Sequence, residues 1–485
     1  MTTVEKIKAK ILDLAIRGKL VPQDPNDEPA SVLLERIKAE KAELVKAKKI
    51  KKDKNPSEII IGSDGVPYEK FADGTSKDLS DEIPFDLPQG WAWARVKYVT
   101  AIKRGEYVTR KQIREGKIPV ILGGQEPAYY CDRSNHDGPC VVVSRSGASA
   151  GFASYWDEPI FVTDGFLFEC AKGLEVQYFY YWLKSFPLVK LQRGTGMPHV
   201  QSEVLNALFL PLPPLAEQKR IVAKVEELFA YADQIGSASE EITKTAQRLD
   251  KKILDLAIRG KLVQQDPNDE PASELVKRIE EQRQAKTDGK KSRTAASHKP
   301  TYEIEQPFDI PESWKWVKLS DLGSFVGGHT PSLSDTSNWA DGDILWVTSK
   351  DMKQKYISDT GCKVSKKGAS ELHLLPKGSL IMVTRSGILR RTFPIAIASK
   401  PLTINQDQRA IEFYNSEMSE YIYCCLKSFE PIILRDYRKT GTTVESIIWD
   451  KFIHIPIPLP PLAEQKRIVK KIDELKEMTQ ALIAL

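Results

Sequence analysis

The sequence predicts an α+β fold, in which two globular domains are joined by long antiparallel coiled-coil helices in a pseudo-two-fold, ring-like arrangement. Three observations predict it. The chain repeats itself in pieces: ILDLAIRGKLVPQDPNDEPAS at 11–31 returns at 253–273 with 20 of 21 positions unchanged, and PLPPLAEQKRIV at 211–222 returns at 458–469. Apolar residues between these blocks keep a coiled-coil spacing, with Ile221, Val225, Leu228, Ala232, Ile235, Ile242, Ala246, Leu249, Ile253 and Leu256 broken only at Ser239. Finally, Val4, Ile7, Ile11 and Leu14 repeat the second half of that seam, while Ile468, Ile472, Leu475 and Leu482 repeat its first half, with Thr479 polar. The two chain ends together therefore rebuild the central helical segment and are expected to pack antiparallel against it, the seam forming a buried core.

On this reading the chain divides into an N-terminal helical scaffold (1–50), a linker (51–82), a first globular domain (83–215), a central helical scaffold (216–286), a second linker (287–303), a second globular domain (304–462) and a C-terminal scaffold helix (463–485). Each limit has a local cause. Pro213 and Pro214 stop a strand and pre-set a helix start, with Glu217 in its first turn. Gly18 and Gly260 follow Arg17 and Arg259, a C-terminal stop with a cation in the last turn. Asp24–Pro29 is turn chemistry, and Ser31 or Ser273 is placed to cap a further, highly charged helix. Residues 38–54 hold eight Lys, and 50–82 and 286–303 read as exposed linkers or flaps. The globular domains mix short β-rich runs (138–144, 159–169, 379–384, 393–399) with aromatic-rich helices at 176–186 and 418–429. Trp91/Trp93 and Trp314/Trp316 are placed to anchor the two cores. Outside such echoes, 94–205 and 317–452 show little likeness.

Composition excludes several classes. With 485 residues, 41% of them hydrophobic, and nine Trp, the chain is not disordered; a formal charge of +5 is not that of a histone-like polycation. No apolar run approaches the ~18 residues of a membrane span, and MTTVEKIKAK lacks the apolar core of a signal peptide. Six Cys without a CxxC point to a reducing cytoplasm rather than a disulfide or zinc framework. There is no phosphate loop, no dinucleotide fingerprint, no amino-methyltransferase tetrapeptide and no HExxH among six scattered His, so no catalytic or metal-binding residue is assigned.

Basic, glycine-bearing loops are the stronger lead. Arg104, Arg110, Lys111 and Arg114 cluster beside Gly105 and Tyr107. Arg145 and Arg385 occupy equivalent Ser/Thr-Arg-Ser-Gly segments, and Arg390 and Arg391 follow the second. Arg193 and Arg438 precede Gly-Thr turns, and Lys350 lies in a further polar turn. Arginine suits guanine edges and phosphates, while Ser, Thr and Gly beside it allow hydroxyl contacts and close backbone approach. A fold-determining role at the Arg145 and Arg385 turns accounts for their survival equally well. In the scaffold, exposed positions repeat as faithfully as buried ones, as at Asp13/Asp255, Arg17/Arg259 and Lys19/Lys261, which suggests two like surfaces for two copies of one partner. Residues 237–259 as helix span about 34 Å, close to one turn of B-DNA.

The doubled PLPPLAEQKRIV, the Ile310-Pro311 and Ser313–Leu319 segment, and Gly327–Ser332 followed by Trp339 and Gly342–Val347 resemble the specificity subunit of type I restriction-modification enzymes over nearly the whole chain. The block at 11–31 resembles the subgroup in which an extra segment precedes the first recognition domain; the Lys-rich linker departs from the pattern. The resemblance implies two target recognition domains, each reading one half of a split, asymmetric site in double-stranded DNA. It also implies helices that dock two modification (methyltransferase) subunits and, through them, restriction (translocase and nuclease) subunits. S-adenosylmethionine, ATP and Mg²⁺ would then reside on those partners and not on this chain. Asp13, Arg17, Lys19, Glu217, Arg220, Asp255, Arg259, Lys261, Glu464 and Arg467 are the expected docking residues. A free-standing bipartite DNA-binding regulator and a coiled-coil adaptor between proteins are the other readings the residues allow.

Overall fold

The computed structural model describes residues 2–48, 50, 52–53, 55–108, 112, 114–124, 126–194, 198–288, 306–441 and 444–484. It is a mixed helix-and-sheet protein that separates into two compact units, 1–238 and 239–485. Among the described residues no helix is long and apolar enough to cross a membrane.

Unit 1 opens with α1 (Thr3–Ile16), whose N-terminus is a capping box: Thr2 Oγ1 accepts from the Glu5 N–H at 3.1 Å and the Glu5 carboxylate accepts from Thr2 N–H at 2.6 Å. Gly18 then turns the chain at a φ of +63°, and α2 (Ala30–Lys46) follows. Residues expected as linker instead form an antiparallel sheet of β1 (Ser57–Ile61), β2 (Pro67–Phe71) and β3 (Ser76–Asp78). The globular part comprises β4 (Ala92–Arg95), α3 (Val96–Val99), β5 (Thr100–Arg104), β6 (Ile118–Ile121), β7 (Tyr129–Cys131), β8 (Cys140–Ser144), β9 (Ala153–Trp156), β10 (Phe161–Val162), β11 (Gly165–Cys170), α4 (Val176–Ser185), α5 (Ser202–Asn206) and β12 (Phe209–Leu212). The chain then enters α6 (Leu215–Ile258), a helix of 44 residues.

Unit 2 takes the end of α6, then α7 (Ala272–Asp288), β13 (Lys315–Lys318), β14 (Gly323–Gly327), β15 (Ile344–Val347), β16 (Tyr356–Ile357), β17 (Cys362–Val364), α8 (Lys366–Ala369), β18 (Leu380–Val383), β19 (Ile395–Ala398), β20 (Leu402–Ile404) and β21 (Gln408–Phe413). After these come α9 (Ser419–Ser428), α10 (Glu430–Asp436), β22 (Arg438–Lys439), β23 (Ser446–Ile447), α11 (Trp449–Phe452), β24 (Pro456–Leu459) and α12 (Leu462–Ala484).

The two globular parts, so unlike in sequence, share one topology. The order β5-β11-β8-β9 in unit 1 matches β14-β21-β18-β19 in unit 2, β10-β6-β7 matches β20-β15-β17, and β4-β12 matches β13-β24. The contacts that tie each globular part to its helices repeat residue for residue. Trp91 Nε1 donates to Glu217 and Trp314 Nε1 to Glu464, each at 2.9 Å; Gln23 and Gln265 donate to the same two carboxylates. Arg220 pairs with Asp27 at 2.6 Å and Arg467 with Asp269 at 2.5 Å. The Tyr178 hydroxyl donates to the Pro211 carbonyl and that of Tyr421 to Pro458.

Within each unit the helices run antiparallel. Val4 lies beside Gly236, Lys8 pairs with Asp233 at 2.7 Å, and Gln23 meets Glu217. In unit 2, Thr479 donates to Asp250 at 2.8 Å while Gln265 meets Glu464. Thr479, the polar break in the seam, is buried and satisfied by that bond. The seam itself is only partly a core. Ile221, Val225, Ala232, Ala246 and Ile253 are buried, but Ile235, Ile242 and Leu249 are exposed. Ser31 is not the cap of α2, which begins one residue earlier behind Pro29, the Ala30 N–H being taken by the Gly90 carbonyl at 2.8 Å.

Candidate nucleic-acid interface

In unit 1 the basic residues gather where β5, β8 and β10 end. Arg145 leaves β8 exposed, its Nε donating to Asp164 at 2.7 Å; the Ser146 hydroxyl donates to the same carboxylate. Asp164 occupies the short link between β10 and β11. The Ser146–Gly147 turn is laced to a second loop: Gly147 N–H donates to Pro198 O and Val200 N–H to Arg145 O, while Arg193 and His199 exchange backbone bonds of 2.9 and 3.0 Å. Arg145 and Arg193, each expected to contact DNA, thus stand on loops that are tied together. Arg104, exposed at the end of β5, leads into the adjoining loop. Arg110 and Lys111 lie outside the described residues.

Unit 2 repeats this arrangement with different side chains. Arg385 leaves β18 exposed, its N–H on the Asp407 carbonyl at 3.1 Å, and it bridges to Ser446 on the second loop. Arg390 and Arg438 converge on Glu445, which is buried: Arg390 Nε donates at 3.0 Å and Arg438 Nε lies at 3.9 Å. Both were expected to face DNA, and the structure engages them first in bracing the loops. Arg391 is exposed alongside. Lys350 is exposed in the turn after β15, whose last residue, Val347, accepts from the Asn405 N–H.

The loop after the first strand of each main sheet is fixed by one device used twice. Gly105 N–H donates to Gly165 O and Glu106 N–H to Val162 O; Gly328 N–H donates to Gln408 O and His329 N–H to Ile404 O. A side chain at either glycine would collide with backbone carbonyls, of Thr163 and Val162 in one unit and of Asn405 and Ile404 in the other, so only glycine permits the approach. The sequence alone did not single out Asp164, His199 or Glu445: an acidic partner 19 or 55 residues away from its arginine leaves no local signal.

The expected docking residues fall into two sets. Glu217 and Glu464 are 1% exposed, committed to the indole and amide donors described above, and burial raises both carboxyls above their usual range. They are internal struts. Arg220 and Arg467 serve Asp27 and Asp269, and Asp13–Arg17 and Asp255–Arg259 are helix pairs of 2.7 Å whose guanidiniums also lie over Phe85 and Phe308. The identity of these polar residues in both copies is thus accounted for inside each unit. Lys19 and Lys261 remain exposed. Among the described residues no cluster of metal-ligating side chains occurs.

Two units of one topology, each carrying an Arg-Ser-Gly turn on one end, are matched by the family described as type I restriction modification DNA specificity domain, over 88–244 and 311–484. The chain belongs to this family. The specificity subunit of the type I restriction enzyme EcoAI from Escherichia coli is 28% identical over 97% of this chain and 89% of its own length. That of EcoDI, also from Escherichia coli, is 35% identical over 80% of this chain and 82% of its own length. The fold is that of solved specificity subunits: the HsdS subunit from Thermoanaerobacter tengcongensis superposes with a TM-score of 0.50 at 18% identity, covering 83% of this chain and 93% of that one. A chain from a structure of a type I R-M system, reported for complex assembly and conformational transition, gives 0.57 at 18% identity over 83% and 94%. The chain is thus a type I restriction-modification specificity subunit, and its family membership fits both the repeated domains and the long helix.

Proposed function

We propose that this specificity subunit is non-catalytic and reads a bipartite, asymmetric site in double-stranded DNA, one half with each unit. The observation that carries the reading is the pairing of equal topology with unequal loops: the equivalent ends of β8 and β18 present Arg145 and Arg385, while the remaining exposed basic residues differ in place, Arg104 and Arg193 in unit 1 and Arg391 and Lys350 in unit 2. A common scaffold with different base-reading side chains is what two different half-sites require. S-adenosylmethionine, ATP and Mg²⁺ belong, on this proposal, to the modification and restriction partners. Two methyltransferase subunits dock on the helices, through Lys19 and Lys261 and through exposed apolar side chains: Tyr231 and Ile235 in unit 1, and Leu249, Met478 and Leu482 in unit 2. The proposed setting is the cytoplasm.

Methylation-site mapping in cells with and without the gene tests this directly. Exchanging 83–210 for the corresponding segment of a relative changes one half of the methylated sequence and leaves the other half intact. A swap that altered both halves, or a gene deletion that left the methylation pattern unchanged, overturns the proposal.

A further inference from the structure

Among the described residues, the most exposed large hydrophobic side chain of each unit stands on the same loop. Among the described large hydrophobic residues, Tyr107 is the most exposed in unit 1, at 87%, and Leu333 the most exposed in unit 2, at 73%. Tyr107 follows β5 and Leu333 follows β14, the equivalent first strands of the two main sheets. Both lie just beyond the paired glycine staples at Gly105–Glu106 and Gly328–His329, which fix the loop roots beside the links that hold Asp164 and Asp407.

Hydrogen bonds and packing fix the described residues beside each side chain. Tyr107 sits between Glu106, whose N–H is bound to Val162 O at 2.9 Å, and Val108, which is buried with Val120, Cys131 and Phe161. Its two neighbours being anchored inward, the phenol is held outward. Leu333 stands between Ser332 and Ser334. The Ser332 carbonyl accepts from Trp339 Nε1 at 3.1 Å and from Asn338 Nδ2 at 3.2 Å, and Trp339 packs edge-on against Trp346 at 5.0 Å. Asp335 closes the loop, accepting from Ser337 N–H and from Lys367 Nζ at 2.8 Å. An isolated apolar group costs free energy in water, and bracing it in that position restricts any relief. Exposed basic residues stand on strand ends and loops of the same units: Arg104, three residues before Tyr107, and Arg145 in unit 1, Lys350 and Arg385 in unit 2.

We propose that Tyr107 and Leu333 are apolar wedges that press into the base stack of the duplex, each at one step of the half-site its own unit reads. Proteins that deform DNA use such side chains to part a base step, while flanking arginines hold the phosphates. The inference rests on the DNA-reading function proposed above and adds a physical device to it. Each wedge fixes the register of its unit by favouring a base step that opens easily, which contributes specificity without a hydrogen bond to a base.

The test uses the full chain assembled with its methyltransferase, on duplexes carrying the site found by methylation mapping. 2-Aminopurine replaces each adenine in turn and pyrrolocytosine each cytosine, so that every base pair is probed. Binding of the wild-type complex raises fluorescence several-fold at one step in each half, apart from the methylated adenines. Tyr107→Ala abolishes the rise in one half only and Leu333→Ala in the other half only, with duplex affinity reduced about tenfold or more. Tyr107→Phe and Leu333→Met retain the signal. Both side chains are surface groups, so circular dichroism and methyltransferase assembly are unchanged. If the wild-type complex binds the duplex but opens no step beyond the methylated adenines, or if the alanine variants leave the signal in place, the wedge is wrong and DNA reading stands. If the complex does not bind the mapped duplex at all, the underlying function fails with it.

Discussion

Glu217 and Glu464 show how a single buried group joins helix to sheet. Each carboxylate sits in the first turn of its helix and takes an indole N–H from the strand-entry tryptophan and an amide from the loop after α1 (Gln23) or after α6 (Gln265). Glu217→Ala strands the Trp91 and Gln23 donors out of water and lowers unfolding free energy by about 2–4 kcal/mol in urea melts, whereas Glu217→Gln, which keeps an acceptor, costs clearly less. Equal losses for the two variants would remove the hydrogen-bond account. Lys41 offers a second test at this scale. Its Nζ donates to the backbone carbonyls of Lys97 (2.7 Å) and Thr100 (3.4 Å), tying α2 to α3, and burial lowers its pKa from 10.5 to about 8. Below pH 8 the ammonium is charged in both states and the full burial cost is present. From pH 8 to 10.5 the unfolded chain keeps a proton that the folded one has released, so folding gains stability as pH rises. Relative to Lys41→Met, the wild type therefore gains about 1–3 kcal/mol across that window in paired urea melts, and a constant difference would show that Lys41 is not desolvated.

At the scale of elements, what the sequence reveals depends on whether the signal is local. Helices were legible because their periodicity, proline entries and glycine exits are written within a few residues: the expected helix at 176–186 is α4, and that at 418–429 is α9. The short strands at 140–144 and 380–383 were legible as apolar runs. Their common topology was not, since each is buried on both faces and any apolar residue satisfies it, leaving no shared pattern to compare. The β1–β3 sheet was missed for the opposite reason. Its strands bear exposed, charged residues such as Glu58, Lys70 and Lys77, and it is joined to the globular part by Glu69, buried and paired with Arg95 at 2.5 Å, and by Ser57, whose N–H donates to the Tyr98 hydroxyl at 2.6 Å. The seam packs less than its spacing implies: heptad spacing states which positions share a face, not which of them a partner covers, and Ile235, Ile242 and Leu249 are exposed although Val4 and Thr479 reach the adjoining Gly236 and Asp250. At the candidate interface the arginines themselves were visible, while their fixing groups, Asp164 and Glu445, depend on long-range strand order.

For the whole molecule the decisive link is α6, the one place where the chain passes from unit 1 to unit 2. Its residues 241–244 are largely exposed and take no part in the stitching contacts around Glu217 and Glu464. Removing these four therefore leaves both folded units intact while shortening the helix by about 6 Å, at about 1.5 Å per residue. If this helix sets the separation of two half-sites, that length corresponds to about two base pairs at about 3.4 Å each. The deletion variant, mapped by methylation sequencing, then modifies sites whose two halves are unchanged and whose spacer is shorter by one or two base pairs. An unaltered spacer with full activity would show that a partner subunit, rather than this chain, measures the distance. Loss of all modification with normal folding and methyltransferase assembly would show instead that the rotation introduced by the missing turn, about 40° beyond a full circle at about 100° per residue, matters more than the length.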